Sequence, residues 1–324
     1  MDLHPLHTGE PMDQLPTALR AENLRKSYGR TDALAGVSFE VHSGEVFGLL
    51  GPNGAGKTTT LAIIAGRMRP SSGSAIVFGR RVHLDSMAVR RLIGLVPHRV
   101  AVYPKLSASE NLRFFGQMYD LRAKELEQRI SELLDLVGLA VRRDQYVATF
   151  SEGMKRRLNL ALSLLHRPRL VLLDEPTIGI DPQSREHVFT IVQRLRQEGA
   201  AIVYTTHYLD EAERLCDRVA IMDEGRILAL GTMAALIAQI GCTEVIEIRG
   251  LPPTLDLSGL ATIPGVSKVV ARNGLRRVVV GRAATVLAPL QQLLGEHAAR
   301  ASISIGPVDL ETVFLHLTGK NLRD

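Results

Sequence analysis

Four residues near the start of the chain have the types and spacing of a phosphate-binding turn. Gly51, Gly56, Lys57 and Thr58 match the pattern G-x-x-x-x-G-K-[ST]. Glycines let the backbone curl so that successive N–H groups point at one anion, and the lysine adds a charge that reaches a nucleotide's terminal phosphates. The threonine hydroxyl of such a turn is a magnesium ligand. The residues predicted to contact the nucleotide are Gly51, Pro52, Asn53, Gly54, Ala55, Gly56, Lys57, Thr58 and Thr59.

The segments on either side of this turn decide whether it can bind phosphate. Residues 46–50 form a short apolar run typical of a buried strand, and residues 59–65 have the composition of a helix. A helix that begins at the turn offers its unpaired amides and the positive end of its dipole to the same phosphate. The alternative is a chance glycine-rich turn, which would not explain the strand–turn–helix order. The sequence therefore predicts a nucleotide site.

A second set of reactive groups follows another apolar run. Residues 170–173 predict a buried strand, and Asp174 and Glu175 come directly after it. In a parallel sheet the carboxyl end of such a strand lies beside the phosphate turn. Asp174 and Thr58 would hold Mg²⁺, and Glu175 would polarise an attacking water, because phosphoryl transfer needs mainly positioning and charge neutralisation. The alternative for two acids after a strand is simple helix-start chemistry, which the nearby phosphate turn makes the weaker interpretation.

Composition limits the class of protein and its compartment. The chain has 324 residues, 45% of them hydrophobic and 23% charged, with a formal net charge of +5 and a pI near 9.4. These values fit one large or two ordinary domains, and the small positive excess is compatible with a nucleotide or an anionic membrane face without demonstrating either. The two cysteines, Cys216 and Cys242, form no metal-like cluster. We expect a cytoplasmic chain, because the sequence has no signal peptide and no apolar run of about 18 residues.

The order of predicted elements divides the chain into three parts. Residues 1–17 contain three prolines among scattered polar residues and are predicted to form a mobile tail. Residues 18–235 alternate apolar strands with helix-period stretches, which predicts an α/β domain with a mainly parallel sheet covered on both faces. The first strands are predicted at 24–28 and 36–41. Ser107 and Glu110 predict a capping box that opens a helix, and a second helix is predicted to end at Gly138. After residue 240 strands dominate, and Arg272-Asn-Gly274 is a hairpin signal between two of them. We predict a small α+β domain over residues 241–324, with a helix at about residues 284–297.

Further motifs resemble those of the ATP-binding cassette (ABC) ATPases, over roughly residues 18–235. Residues 170–177 are similar to the family's Walker B segment, residues 179–182 to its D-loop and Thr206-His207 to its H-loop. Residues 150–160 (Phe-Ser-Glu-Gly-Met-Lys-Arg-Arg-Leu-Asn-Leu) are similar to its signature segment. Because the motifs occur in the family's order, the resemblance implies a P-loop NTPase fold, ATP and Mg²⁺ as cofactors, and ATPase activity.

The resemblance also implies an architecture and a dimer. The family's cassette has a mainly parallel sheet core, an antiparallel β subdomain and a helical subdomain, here at about residues 100–166. Two cassettes of the family pack head-to-tail and close two ATP molecules between them. Ser151 and the Gly153 amide would then complete the γ-phosphate site of the partner's ATP, so dimerisation should depend on nucleotide.

Three other residues take roles from the same resemblance. His207 would contact the γ-phosphate and act in catalysis with Glu175 by fixing the geometry of the water. Asp181 would cross the dimer interface, with an ordinary helix N-cap before Pro182 open as the alternative. Tyr28 would be the adenine platform, although an aromatic residue near a glycine turn is common enough to leave this open.

Two positions depart from the family's pattern. His98 stands where the family usually has a glutamine that contacts Mg²⁺ and links the cassette to its membrane partner. Imidazole suits a hard cation less well than an amide oxygen, so we expect slower or more pH-sensitive hydrolysis, with a tolerated substitution as the alternative. Glu152 stands where the signature most often has glycine, and we expect activity to survive because Gly153 keeps the close amide contact.

The expected partners follow from the family as well. The resemblance implies a separate membrane permease, which would dock a helix near residues 99–115, and a second ABC subunit, in a homodimer or with a different cassette. Residues 310–319 resemble the end of bacterial export ATPases of the daunorubicin-resistance type, which implies export. The alternative for the C-terminal domain is that it only braces the dimer.

Other function classes fit the motifs less well. A soluble ABC ATPase that acts on nucleic acid or on a protein complex is the second hypothesis, although the single cassette and the absence of a long heptad insertion argue against it. A small-molecule kinase would not explain residues 151–154 or His207. We therefore expect a subunit that lies on the cytoplasmic face of the membrane and makes no direct contact with nucleic acid.

Overall fold

A computed structural model describes residues 15–252, 255, 258–272 and 275–319 of the chain. Almost all of the predicted N-terminal tail lies outside these residues, as do the predicted turn residues Asn273 and Gly274. The chain divides into two compact units, one that ends at Leu228 and one that begins at Ala229. The domain limits inferred from the sequence, 18–235 and 241–324, stay a prediction.

The first unit contains two β-sheets built from strands of different character. Strands that are uniformly apolar form the parallel sheet, whereas strands with alternating burial form the antiparallel one. The strands are β1 (Thr17–Tyr28), β2 (Thr31–His42), β3 (Val46–Leu50), β4 (Ser72–Val77), β5 (Arg80–Arg81), β6 (Ile93–Val96), β7 (Leu170–Asp174), β8 (Ala201–Thr206), β9 (Arg218–Asp223) and β10 (Arg226–Gly231), where the chain passes into the second unit.

The parallel sheet positions the predicted site. Its strands follow the order β10-β9-β3-β8-β7-β6, and the neighbours from β9 to β6 pair in parallel. The strands β3, β7 and β8 are buried at every residue because helices cover both faces. Their carboxyl ends therefore meet at one edge, where the chain leaves β3 as the glycine turn and leaves β7 at Asp174 and Glu175.

The antiparallel sheet has the order β2-β1-β4-β5. Its first two strands are longer than the runs at 24–28 and 36–41 that the sequence indicated. The register of β1 against β2 shifts at several points, so bulges interrupt the strict alternation that would have marked one long strand in the sequence.

The helices of the first unit begin and end largely where sequence signals predict. Ser107 and Glu110 form the expected capping box at the start of the third helix, each side chain accepting from the other residue's amide. Gly138, at φ +63°, follows the end of the fourth. The helices are α1 (Lys57–Ile64), α2 (Ser86–Arg90), α3 (Ala108–Gln117), α4 (Ala123–Leu136), α5 (Glu152–Ser163), α6 (Pro182–Gln197) and α7 (Leu209–Leu215).

One core joins the helical region to the parallel sheet. Leu112, Ile130 and Leu158 from three helices are fully buried in the same cluster as Val171 and Leu173 of β7. The helices α3, α4 and α5 are thus packed into the core as an insertion between β6 and β7. The limits expected for the helical subdomain, about residues 100–166, stay a prediction.

The second unit is a small α+β fold. An antiparallel sheet has the order β12-β13-β11-β14, and α9 packs against one face through Val286 and Leu290. The predicted helix 284–297 ends at Leu294, where Gly295 adopts φ +50° and a 3₁₀ turn follows. The elements are α8 (Met233–Ile240), β11 (Glu244–Arg249), β12 (Val266–Arg272), β13 (Leu275–Val280), α9 (Ala283–Leu294), β14 (Ser302–Pro307) and α10 (Leu310–Thr318).

Hydropathy separates these helices from membrane spans. Across the described ranges, none of the helices combines the length and the apolar character needed to cross a bilayer.

Candidate nucleotide-binding and hydrolysis site

The phosphate turn connects β3 to α1 and needs glycine at defined positions. Gly54 and Gly56 adopt φ of +85° and +104°, a left-handed backbone that favours glycine. A Cβ atom at Gly51 would lie 2.3 Å from the carbonyl oxygen of Met222, so the strand packing excludes a larger residue. Gly56 is the N-cap of α1 and supplies no side chain to cap it, which leaves the first amides of the helix directed at an anion.

Lys57 lies over the turn with its amine held by oxygen atoms. Its side chain is buried, and Nζ donates to the carbonyl oxygens of Gly51 at 2.6 Å and Pro52 at 3.1 Å. The same Nζ forms an ion pair with Oε1 of Glu175 at 3.1 Å. The ammonium group is therefore fixed between the turn and the end of β7, where a bound phosphate chain would pass.

Asp174 is held by two threonine hydroxyls. Thr58 of α1 and Thr205 of β8 donate to its Oδ1 at 3.2 Å and 3.0 Å. Burial raises the pKa of this carboxyl, and the two hydrogen bonds oppose that shift because they favour the charged form. The Thr58 hydroxyl and the Asp174 carboxylate thus present oxygen donors side by side, which is the donor type that Mg²⁺ prefers.

This donor set also agrees with the way Mg²⁺ is held in nucleotide sites. Within the described part of the chain, no group of three or more His, Cys, Asp and Glu side chains could hold a metal ion by itself. Mg²⁺ needs no such cage, because it keeps several waters and binds through one or two carboxylates plus the phosphates of the substrate. Thr58 and Asp174 therefore fit the predicted ion.

Glu175 is the most constrained residue of the site. Its φ is +48°, a left-handed backbone that is uncommon outside glycine and collects at functional sites. Its amide donates to Oγ1 of Thr205 at 3.0 Å, which anchors the residue to β8. Its carboxylate is shared, with Oε1 facing Lys57 and Oε2 lying 3.1 Å from Nδ1 of His207. The chain thus holds this carboxylate between a cation and an imidazole.

A cleft of about 620 Å³ opens above the turn. Among the described residues, its lining includes most of the predicted nucleotide contacts but not Tyr28, Gly51, Ser151, Gly153, Asp181 or His207. The predicted residues that line it are Pro52, Asn53, Gly54, Ala55, Gly56, Lys57, Thr58, Thr59, His98, Asp174 and Glu175.

His98 lies on the wall of this cleft, with Nε2 4.0 Å from Oε2 of Glu175. The segment that carries it is fastened to α5 at two points. Nη1 of Arg156 donates to the His98 carbonyl oxygen at 2.6 Å, and Oδ1 of Asn159 accepts from the Ala101 amide at 3.1 Å. Both of these side chains are buried, so the backbone of residues 98–101 is held by the helix.

Ser151 and Asp181 are both helix N-caps. Ser151 accepts from the Met154 amide at the start of α5, and Asp181 accepts from the Ser184 amide at the start of α6. The Ser184 hydroxyl also donates to Asp181 and lowers the pKa of that carboxyl. Within one chain, Asp181 therefore has the capping role that the sequence left open, and its contact across a dimer stays a prediction.

Gly153 is buried where α5 meets α6. A Cβ atom there would lie 2.2 Å from Oγ of Ser184, so the close approach of the helices requires glycine. Glu152 is exposed beside it, as expected for an acid at the signature's usual glycine position.

Tyr28 lies at the end of β1, away from the lining of the cleft. Its ring is 49% exposed, and its hydroxyl donates to the sulfur of Met68 at 2.9 Å. An exposed ring of this kind has room for a stacked base on its face. Its role as an adenine platform stays a prediction.

Sequence reasoning did not single out Thr205. This hydroxyl touches both acids of the site, since it donates to Asp174 and accepts from the Glu175 amide. A usable signal exists: Thr205 is one of two polar residues that end an otherwise apolar buried strand. Such a residue requires a partner, and the partner lies on the neighbouring strand.

The fold and the site together define a class of protein. A glycine turn followed by a helix, a lysine over the turn and two acids at the end of a buried parallel strand are the parts of a P-loop nucleoside triphosphatase. The helical insertion and the antiparallel sheet are additions to that core. Comparison with known proteins identifies the branch.

Residues 34–178 match the family model described as ABC transporter. The chain is 39% identical over 311 residues to the linearmycin resistance ATP-binding protein LnrL of Bacillus subtilis, across 94% of this chain and 100% of that protein. It is 38% identical to the Nod factor export ATP-binding protein I of Ralstonia nicotianae, across 94% and 95% of the two chains. It is 36% identical to the daunorubicin/doxorubicin resistance ATP-binding protein DrrA of Streptomyces peucetius, across 97% and 96%.

Solved structures give the same result for the fold. An ATP-binding subunit of an ABC transporter matches with a TM-score of 0.64 and 34% identity, over 69% of this chain and 94% of that one. The ATP-binding cassette MJ0796, solved as a post-hydrolysis dimer with ADP and phosphate, matches with a TM-score of 0.61 and 25% identity, over 66% and 98%.

The chain belongs to the ABC transporter family, as one of its ATP-binding subunits. The predicted fold class is confirmed, and so is the resemblance to the daunorubicin-resistance type. ATPase activity is a general property of this domain.

Proposed function

We propose that the chain hydrolyses ATP to drive an exporter whose membrane permease is a separate subunit. The observation that carries the proposal is the convergence of Lys57, Asp174, Glu175 and His207 at one edge of the parallel sheet. The similar proteins include ATP-binding proteins of export and of drug resistance, which supports export as the direction of transport.

The metal would be held by the oxygen donors of Thr58 and Asp174. Bound Mg²⁺ supplies charge neutralisation for the phosphates. The two hydroxyl partners of Asp174 favour its charged form against the burial that raises its pKa, and Thr58 brings the first turn of α1 against it. His98, on the cleft wall, offers an imidazole nitrogen, a softer donor that fits this ion less well.

Hydrolysis needs a group that orients water and one that neutralises the phosphate. Lys57 supplies the positive charge, and its present partners are carbonyl oxygens and one carboxylate, which a phosphate anion can replace. Glu175 accepts a proton or a hydrogen bond from the attacking water, with Oε2 held by His207. The constrained backbone of Glu175 keeps that carboxylate directed at the cleft.

A second copy of the chain would complete the site. Ser151 caps α5 with its side chain exposed, so the start of this helix is available to a partner's phosphate. Asp181 and Gly153 meet beside it around Ser184. The dimeric cassette with ADP and phosphate supports this arrangement, because the two proteins share the fold.

A groove beside the cleft supports docking of the permease. Its volume is about 760 Å³, and Met87 and Met118 on its walls are 67% and 69% exposed. Exposed apolar side chains rimmed by charge are typical of a protein-binding surface. A segment with apolar and acidic side chains would suit it, and would hold the subunit on the cytoplasmic face of the membrane. The wall residues include Met87, Phe115, Met118, Tyr119, Arg67, Arg90 and Arg91.

The proposal is tested by capture from solubilised native membranes with ATP and Mg²⁺. Glu175→Gln should bind ATP, stay in the closed dimer and retain a stoichiometric multi-span membrane protein. Lys57→Ala, which lacks the phosphate contact, is the matched control for the dimer and should stay monomeric. Met118→Arg should lose the membrane protein while keeping ATP hydrolysis. Recovery of a soluble partner or nucleic acid, with nothing from the membrane, would replace the exporter by a soluble ABC ATPase.

A further inference from the structure

Glu211 is a fully buried carboxylate that the chemistry above does not use. It lies in the first turn of α7, and its side chain is 0% exposed. Three hydroxyls donate to it, from Thr177 at 2.6 Å, Tyr204 at 2.9 Å and Thr206 at 2.9 Å. A buried carboxylate is costly unless such partners satisfy it, so a substitute that keeps its shape but has only one acceptor oxygen would leave at least one of these donors without its acceptor.

The three hydroxyls belong to the two segments that carry the reactive pair. Thr177 follows Glu175 by two residues after β7, and Thr206 directly precedes His207 at the end of β8. Thr206 also accepts the Tyr208 amide through the same oxygen, at 2.9 Å.

Thr206 bonds directly to Glu211, and the Tyr208 amide is linked to it through the Thr206 hydroxyl. Both neighbours of His207 along the chain are thereby connected to Glu211. The carboxylate thus connects the backbone beside Glu175 to the backbone on both sides of the histidine.

The donors have fixed roles because burial favours the neutral form of Tyr204, in which the phenol is a hydrogen-bond donor. Burial, assisted by the neighbouring Glu211 carboxylate, raises the pKa of Tyr204 well above its ordinary value. The phenol therefore remains a donor, and the two threonines donate as well. A carboxylate can accept all three bonds, whereas a glutamine amide offers one acceptor oxygen and two N–H groups that face hydroxyl donors.

We propose that Glu211 is a positioning residue that sets the geometry between His207 and Glu175, whose Nδ1 and Oε2 atoms lie 3.1 Å apart. The inference rests on the proposed hydrolytic function of that pair. It assigns to Glu211 no contact with nucleotide, because its whole surface is covered by the chain.

A second buried glutamate provides a matched control. Glu45 precedes β3 at the amino end of the same sheet and is also 0% exposed. It accepts from the His42 amide at 2.7 Å and pairs with Arg218 at 3.1 Å. Glu45→Gln makes the same chemical change in a site of equal burial, but at the opposite edge of the sheet from the cleft.

The experiment compares steady-state ATP hydrolysis by the full chain carrying Glu211→Gln or Glu45→Gln. Misplacement of a reacting group by about 1 Å costs up to about 100-fold, so kcat of Glu211→Gln should fall by about 10- to 100-fold. KM and the affinity for a fluorescent ATP analogue should stay within about twofold, because the phosphate turn is untouched. Glu45→Gln should keep the wild-type kcat. An unchanged kcat in Glu211→Gln, or an equal fall in Glu45→Gln, would overturn the inference.

Two further measurements keep the test decisive if Glu211→Gln does not fold. Thr206→Val removes one bond to Glu211 and should lower kcat, while Thr206→Ser should restore it. In a Glu175→Gln background, Thr206→Val should cause no further loss, since its effect passes through Glu175. If Glu175→Gln itself hydrolyses at the wild-type rate, the proposed function fails. If Glu175→Gln is impaired but Glu211→Gln and Thr206→Val hydrolyse ATP at the wild-type rate, the positioning role of Glu211 fails and the proposed function stands.

Discussion

The two ends of the parallel sheet each bury a glutamate beside a basic residue, but they do so differently. At the amino end, Glu45 is bound by the His42 amide and Arg218, and all of these partners are internal. At the carboxyl end, Glu175 sits on a left-handed backbone and shares its carboxylate between Lys57 and His207.

The ion pair of Glu45 and Arg218 is internal to the fold. The ion pair of Lys57 and Glu175 is one in which a ligand could replace a partner. Among the described residues, Glu45 and Arg218 do not belong to the lining of the cleft, whereas Lys57 and Glu175 do. A phosphate entering the cleft can replace Glu175 at Lys57, but no ligand reaches Glu45 because the residue is fully covered. Burial and charge pairing are common to both glutamates and therefore do not distinguish a functional site from a structural ion pair. The left-handed backbone and the shared carboxylate of Glu175 do distinguish it.

The largest expected effect is at the carboxyl end. Glu175→Gln keeps the shape of the side chain but removes the charge that faces Lys57 and the base that orients water. We expect kcat for ATP hydrolysis to fall by about 10²- to 10⁴-fold with ATP binding retained, measured by phosphate release and nucleotide titration. Hydrolysis by Glu175→Gln at more than about a tenth of the wild-type rate would show that Glu175, like Glu45, has no direct role in catalysis.

Thr205→Val should have the next largest effect, since it removes the hydroxyl that joins the two acids. The Thr205 hydrogen bond lowers the pKa of Asp174, so its loss should raise that pKa further. If Mg²⁺ binding needs ionised Asp174, the acidic limb of the pH–rate profile should move to higher pH. The rate near neutrality should fall by about tenfold, the equivalent of about 1.4 kcal/mol in activation free energy.

The control for this prediction is Thr190→Val, which removes an exposed hydroxyl that donates within α6. It should change neither the rate nor the profile. A shift of the acidic limb to lower pH in Thr205→Val would contradict the assigned hydrogen bonds.

His98→Gln tests a smaller difference at the same end. The change replaces an imidazole 4.0 Å from the Glu175 carboxylate by an amide. We expect faster hydrolysis, by less than about tenfold, because an amide oxygen suits Mg²⁺ better than an imidazole nitrogen. The same rate in both proteins would mean that the histidine is a tolerated substitution.

Glu45→Gln should have the smallest effect on ATP hydrolysis and a measurable effect on the free energy of unfolding. Burial raises the pKa of Glu45 above its ordinary value of 4.5, so the folded state holds a proton more tightly than the unfolded chain. The stability that this group contributes is full below pH 4.5 and is lost as the pH rises through the raised pKa.

The difference in unfolding free energy, wild type minus Glu45→Gln, should therefore decrease from acid toward neutral pH. Urea unfolding at several pH values measures it, with hydrolysis measured alongside and expected to stay at the wild-type rate. A difference that grows with pH would contradict the assigned direction.

The sequence predicted most of the carboxyl-end site because its groups occur in compact motifs. The turn from Gly51 to Thr58, and the acids after β7, combine a fixed spacing with an apolar strand before them, so both position and chemistry are readable. The boundaries of the flanking helices were also predictable where a cap exists, as at Ser107.

What the sequence did not reveal depends on long-range packing. Thr205 reaches Asp174 and Glu175, and Glu211 reaches Thr177, only when β8 lies beside β7, and no local pattern around them specifies that. The full length of β1 was not predicted, because bulges break its alternation. The helix α8 was not predicted either, because its apolar residues give no marked polar face. Such features follow from neighbours far along the chain.

The double fastening of residues 98–101 to α5 has a mechanical consequence. Arg156 and Asn159 hold this segment at both ends, and Pro97 beside it lines both the cleft and the neighbouring groove. Because both hydrogen bonds tie the segment to one helix, we expect residues 98–101 and α5 to be displaced together. A partner that pressed on the groove would then move His98 and the start of α5 at Ser151 as one body.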